Sequence, residues 1–588
     1  MKRSPIARWL ALVLALAMIL AACSSADPDA AETTTTATTG GETTTTADGG
    51  TAPATTQAAP ATTAPAPEGR TVLNVVIPTD PVAMNPFPET AGNRAVVHMA
   101  MYLPLIMVDN EGAIFSEVLE SWDVSPDATT ITLKVNDGIE WSDGVPVTSA
   151  DVELALQLHL DSRISNRASR LGGVAGVQAY TDGDADSISG IVAPDASTVV
   201  ITLESPDAAW LPNWASLTRL NSMWPAHILG DVPAEDIPTH PFFETLPVVN
   251  GAYKFVQYVP DQFVELAANE NYSLGTPGFE SVFFKIITDG EARLAQLQTG
   301  ELQFTDQVAA ADIERLQAID GIQVDSTNGL NPNIIGFNDQ SPAFADPRVK
   351  QALVFAIDRE GLCREVFLGA CSVSDVNVRL VGDQVAWAVP SEAEGMIAYN
   401  YDPEAARQLL ADAGWDSNTK LNLWLMAQAA PDDIIQSVSI MQAQWADVGV
   451  TVEITNVDVP TLLDNLGREQ LNTDVHMFWN AGAVFSLDPS SVQPYNLCAN
   501  DYPNGPNLTH YCDEATDALW AQARLSAEQS VRAPIYKEIF LAENKDPNNL
   551  HIAVMDNSVA YDSGLKGVLV YGDHWQSYWN IGHWTWEG

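Results

Sequence analysis

The sequence predicts an α/β protein of at least two lobes, and three observations carry that expectation. Runs with strand character alternate with apolar-periodic helices along most of the chain. About 518 of the 588 residues form the body, more than one core uses, since single cores stop growing near roughly 250 to 300 residues. A composition of 46% hydrophobic and 18% charged residues excludes a fully disordered chain, and five cysteines are too few for a small disulfide scaffold.

The elements follow in chain order. Residues 1–22 hold Lys2, Arg3 and Arg8, no acidic residue, and an apolar run from Trp9 to Ala22, the layout of a secretory signal peptide. That run is too short to cross roughly 30 Å of hydrocarbon as a helix. It ends at Leu20-Ala21-Ala22-Cys23, which resembles a bacterial lipobox, whose cysteine becomes lipidated and N-terminal. From there to residue 70, threonine, alanine, glycine and proline dominate, with 15 threonines between Thr33 and Thr63. Such a segment buries too little apolar surface to offset its ordering entropy, so residues 23–70 read as a lipidated cysteine and disordered tether. Threonine glycosylation is compatible with that composition.

Folding is expected to begin at Thr71–Ile77, a β-branched run with the look of a buried strand. Thr129–Val135 alternates like a half-exposed strand, and Thr148 or Ser149 opens a helix to about Leu160. Pro403 sits just inside a helix capped by Asp402, with Ala405, Ala406, Leu409 and Leu410 on one face and Gly414 beyond its end. A helix is expected over Val438–Val448, then a strand at Val450–Ile454. No segment after the leader has about 18 uninterrupted apolar residues, so the body is expected to be soluble and only anchored to the membrane.

Charge excludes one class of partner. The formal charge is −49, and removing residues 1–22 leaves 24 basic against 76 acidic residues. Nucleic acid is a poor partner for that field, because its binding depends on neutralising phosphates. Setting Cys23 aside leaves Cys363, Cys371, Cys498 and Cys512. In an exported chain, the two close pairs are the simplest of three connectivities. Phosphate-loop, zinc-protease, nucleophile-elbow and dinucleotide motifs are missing from the sequence, so no catalytic residue, cofactor or metal ligand is assigned. His574 and His583, beside Trp575 and Trp584, read as terminal packing. Asp182, Asp184 and Asp186 imitate a calcium loop, but Ser187 and Ala193 stand where glycine and a bidentate glutamate are needed. A solvated loop is the expectation there.

Local patterns are more specific. Leu119-Glu120-Ser121-Trp122 and Ser125-Pro126-Asp127 precede Asp137-Gly138, Trp141-Ser142-Asp143-Gly144 and Ala150-Asp151-Val152. Later come Asn250-Gly251-Ala252-Tyr253, Ala292-Arg293, Gly300-Glu301, Asp346-Pro347-Arg348, Ala356-Ile357-Asp358-Arg359 and Tyr401-Asp402-Pro403-Glu404. In that order they resemble the bacterial extracellular solute-binding proteins of family 5, the dipeptide-, oligopeptide- and nickel-binding components of ABC importers. The Cys498 to Cys512 spacing also resembles a disulfide loop of dipeptide-binding members.

The resemblance implies a periplasmic-binding-protein clamp of type II, similar to cluster C, with an inserted subdomain. Lobe I would span residues 71–325, lobe II 326–557, and residues 558–588 would return to lobe I. It further implies a non-enzymatic protein that works as a monomer, captures a solute between the lobes and hands it to an ABC permease with its ATPase subunits. Dipeptide binders of this kind hold the ligand carboxylate with an arginine, whose place here is Ala430, and its amine with an aspartate, whose place is Gly482. A zwitterionic dipeptide would then leave poorly compensated charges in a closed crevice. The expected ligand is a longer peptide or another neutral or cationic organic solute. Asn85, Trp424, Trp479, Asn480 and Asp488 are the candidate crevice residues, with Arg379 as an anion contact. A secreted hydrolase and a non-transport surface receptor are the alternative classes; turnover of a bound solute would mark the first, and lack of ligand-dependent closure the second.

Overall fold

Strand Val72–Ile77 starts the fold, and from Leu73 onward it is almost wholly buried, as its unbroken apolar run predicts. It belongs to a seven-stranded sheet in the computed structural model, which describes residues 71–87, 93–110, 113–164, 171–216, 222–330, 332–374, 383–426, 430–467, 472–481, 488–573 and 576–587. The leader, Cys23, the tether, Arg379, Gly482, His574 and Trp575 lie outside the described residues.

Across the first sheet the order is Ile322–Thr327, Asn557–Asp562, Phe304–Thr305, Val72–Ile77, Ser281–Ile286, Phe263–Ala268 and Tyr253–Val259. Val72–Ile77 runs parallel to both of its neighbours, and the remaining pairs are antiparallel. A second, six-stranded sheet is ordered Cys371–Ser372, Asn549–Met555, Pro332–Phe337, Met477–Ala481, Lys420–Leu425 and Thr451–Asn456. Here Lys420–Leu425 is parallel to both neighbours. A third sheet of four antiparallel strands, Leu119–Val124, Thr130–Val135, Thr198–Thr202 and Ile191–Asp195, is inserted between strands of the first.

Local chemistry sets the boundaries. Thr130–Val135 buries Ile131, Leu133 and Val135 and leaves the residues between them partly exposed. Trp141–Gly144 turns the chain, with Gly144 at φ 85°, a left-handed conformation that favours glycine. Helix Ser149–Leu160 follows with Thr148 as its cap, and Asp151 accepts the Thr148 backbone N–H at 2.7 Å. Asp151 also accepts from the Trp141 indole at 3.2 Å and the Ala226 backbone at 2.8 Å. This family-like motif therefore ties a turn, a helix start and a later segment together.

Helix Pro403–Asp412 has the expected Asp402 cap, accepting from the Glu404 and Ala405 backbones at 3.1 and 2.9 Å. The helix expected from Val438 instead spans Asp432–Asp447. Gln436 and Ser437 interrupt the apolar pattern between Ile435 and Val438, so periodicity alone places the start too late, although Ile434 is already buried; Asp432 and Asp433 in the first turn complement the helix dipole. The following strand is Thr451–Asn456. Cys363 bonds Cys371, and Cys498 bonds Cys512.

Apolar side chains gather into distinct clusters. The first and third sheets share one, from Leu73 through Trp141 and Trp214 to Trp584. The second sheet has its own, including Ile335, Leu423, Trp445 and Phe478. A smaller cluster of Trp520, Tyr536 and Phe540 lies with the helices Glu514–Ala523 and Gln529–Lys545.

Candidate functional site

The chain passes between the two large sheets twice, and the passages lie side by side. Ile322–Thr327 pairs with Asn557–Asp562 in the first sheet, ending at Thr327 opposite Asn557. Pro332–Phe337 pairs with Asn549–Met555 in the second, beginning at Pro332 opposite Val554. Register then fixes direction. In the first sheet, the carboxyl ends of Val72–Ile77 and Ser281–Ile286 lie on the same side as Thr327. In the second, the carboxyl ends of Lys420–Leu425, Thr451–Asn456 and Met477–Ala481 lie on the same side as Pro332. Both sets of strand ends face the crossings, where an open α/β sheet binds its ligand.

Trp424, Trp479 and Asn480 all stand near those ends in the second sheet. They do not share one face. Trp424 pairs with Phe478, and residues alternate along a strand, so Asn480 shares the face of Trp424 while Trp479 takes the other with Ile335. Gly336 opposite Phe478 fits this register: a Cβ there would lie 2.6 Å from the phenyl ring. Both tryptophans are buried, and both indole N–H groups lack an acceptor among the described residues. A buried donor without a partner costs about 1–3 kcal/mol, so an acceptor brought by a ligand would be favoured there. Ala430, in the arginine place, is buried near the same strand end.

Two other expected contacts are already engaged. Asn85 donates from Nδ2 to the Pro238 carbonyl at 2.6 Å and accepts the Phe87 backbone N–H at 3.0 Å. It holds its own loop. Asp488, expected to offer a carboxylate to ligand, is instead buried against Arg532, with two contacts of 2.7 Å. The same carboxylate accepts from Tyr536 at 3.1 Å and caps the Ser490 backbone at 2.9 Å. A charge so compensated within its own lobe is a poor anchor for a ligand amine.

The first sheet contributes a pair that residue-by-residue comparison passes over. Asp306 follows strand Phe304–Thr305 and is buried beside Tyr578, with no close hydrogen-bond partner for Oδ1 among the described residues. Burial pushes its carboxyl up to about 6, against a lowering hydrogen bond from Gln307 and the Arg293 charge. Arg293 sits in helix Gly290–Gln298, with Nε and Nη1 buried and without acceptors among the described residues. The sequence signal was an arginine in a family-like motif and an acid just beyond a strand.

Elsewhere, His583 pairs with Glu117 at 3.2 Å, which raises its pKa. Asp182 accepts from Gln178 through both oxygens at 2.9 Å, and Asp182, Asp184 and Asp186 are all exposed. None of the described helices is long and apolar enough to cross a membrane.

Residues 114–503 match the family model described as bacterial extracellular solute-binding proteins, family 5 Middle. A Brucella ovis protein whose name assigns it provisionally to ABC-transporter peptide binding is 29% identical over 466 residues, 78% of this chain and 82% of that protein. The dipeptide-binding protein of Escherichia coli is 25% identical over 463 residues, 77% of this chain and 82% of its own. Among solved structures, the substrate-binding protein CtaP of Listeria monocytogenes aligns with a TM-score of 0.73 at 23% identity, covering 88% of this chain and 99% of its own. The oligopeptide-binding protein AppA of Bacillus subtilis, solved with a nonapeptide, aligns at 0.67 and 21% identity over 88% of this chain and 99% of its own. With that match over most of its length and a two-lobed α/β architecture, the chain belongs to the bacterial extracellular solute-binding proteins of family 5.

Proposed function

We propose that this chain captures a peptide or other small organic solute between its lobes and delivers it to an ABC permease and its ATPase subunits. Lobe I takes residues 71–325 and 558–588, lobe II residues 326–557, and Cys23 carries the lipid that holds the protein at the extracytoplasmic face of the membrane. The observation that carries this reading is the meeting of both sets of strand ends at two adjacent crossings, with the indole N–H groups of Trp424 and Trp479 buried and unsatisfied on one side. Arg293 and Asp306 supply a donor and an acceptor from the other side. Such pairs suit a ligand rich in amide groups. The peptide-binding names of the relatives support the same class.

Ala430 replaces an arginine anchor, so free dipeptides are disfavoured. Native mass spectrometry of protein purified from its own host should show one retained small molecule per chain, and calorimetry should detect no heat with dipeptides. Tight dipeptide binding would overturn the ligand assignment. An empty protein whose tryptophan fluorescence responds to no host extract would overturn capture itself.

A further inference from the structure

Two of the apolar clusters stay separate and yet face each other through polar groups. Trp210, Leu211 and Trp214 belong to the cluster of the first and third sheets. Trp520, Ala523 and Tyr536 belong to the cluster with the helices leading into the second sheet. Between them, the Arg524 guanidinium pairs with the Asp207 carboxylate. The Ala208 backbone N–H donates to the Arg524 carbonyl at 3.1 Å, and Asn213 donates from Nδ2 to Ser490 Oγ at 3.4 Å. None of these residues belongs to either chain crossing.

The two points on the second-lobe side are held by one network. Arg532 donates from Nε to the Ala523 carbonyl at 3.0 Å, next to Arg524, and also grips Asp488, which caps Ser490. On the other side, Asp207 accepts the Ala209 backbone N–H at 3.1 Å, just before helix Trp210–Ala215. Each half is thus anchored in its own lobe. The contact between the halves is polar and partly solvated, with 39% of the Arg524 side chain and 10% of Asp207 exposed. Polar interfaces of this kind separate readily, whereas a shared apolar core would not.

We infer that Asp207 and Arg524 are positioning residues for capture, forming a cross-lobe latch that favours the closed crevice. The inference rests on the clamp reading proposed above. A ligand that binds only the closed arrangement has its apparent affinity reduced by the closed fraction, so the latch sets affinity without touching the ligand.

Small-angle X-ray scattering tests this on protein stripped of ligand by urea and refolded. D207N keeps the acceptor for Ala209 while removing the charge, and R524Q keeps most of the side chain. Each should shift the closed-to-open ratio about fivefold toward open, the upper end for a partly exposed pair, and enlarge the radius of gyration. The exchanged pair D207R/R524D should return the profile toward that of the unaltered protein. Single variants with unchanged profiles overturn the latch, including when their melting temperature falls, because that marks a merely structural bond. Native mass spectrometry keeps the two readings apart: a retained solute with unchanged profiles overturns the latch alone, and an empty protein whose variants open overturns capture alone.

Discussion

Arg532 and Asp488 show what a single side chain decides. With side chains only 6% and 4% exposed, they hold opposite charges out of water, and the Tyr536 hydroxyl satisfies one more carboxylate lone pair. Removing one partner strands the other, which typically costs about 3–5 kcal/mol. Arg532→Gln should therefore lower stability by that amount in urea titration, while a paired apolar replacement of both residues should restore much of it. Asp306 makes the opposite case, a buried acid with its carboxyl up near 6. Its unfolded value is near 3.8, so the folded state binds the proton more tightly, and its cost to stability is absent below about 4 and full above about 6. Asp306→Asn should raise the melting temperature at pH 7, and the gain over the unaltered protein should fade as pH falls from about 6 to about 4.

Helix caps are the scale at which the chain is easiest to read. Asp402 accepts two backbone N–H groups at the start of Pro403–Asp412, so Asp402→Ala should cost about 1 kcal/mol, measured by thermal unfolding. Thr148 and Asp402 were legible as starts because capping chemistry is local in sequence. The start at Asp432 was not, since Gln436 and Ser437 break the apolar pattern between Ile435 and Val438. The crevice was harder still. Trp424 lies on a strand-like run, but Trp479 reads as part of a Gly- and Ala-rich loop and instead sits in strand Met477–Ala481, and only register shows that the two take opposite faces. Asp488 looked available because its partner Arg532 lies 44 residues on, a distance that no local pattern spans. Asn85 is likewise engaged by a partner that no local pattern reveals, Pro238, 153 residues away.

At the level of the whole molecule, two buried histidines tie stability to acidity. Burial pushes the His98 imidazole down to about 3 and that of His159 to about 4, with the nearby Arg94 charge lowering His98 further. In the unfolded chain both take up protons near 6.5, so stability present above that value is lost as pH falls toward 4. The strong negative charge fits an exported surface and repels anionic ones, which agrees with a protein met outside the cytoplasm. The likeness to family 5 structures at 88% of the chain places both lobes within one architecture, not a string of independent domains.

The strand order of the first sheet also governs how the protein is born. Asn557–Asp562 lies between Ile322–Thr327 and Phe304–Thr305, so the sheet that begins at Val72 stays incomplete until nearly the last residues arrive. Contacts that distant form slowly, because loop closure precedes any gain from pairing. During synthesis the first sheet therefore stays open between Ile322–Thr327 and Phe304–Thr305 until Asn557–Asp562 has been made, so its two parts wait on one late strand.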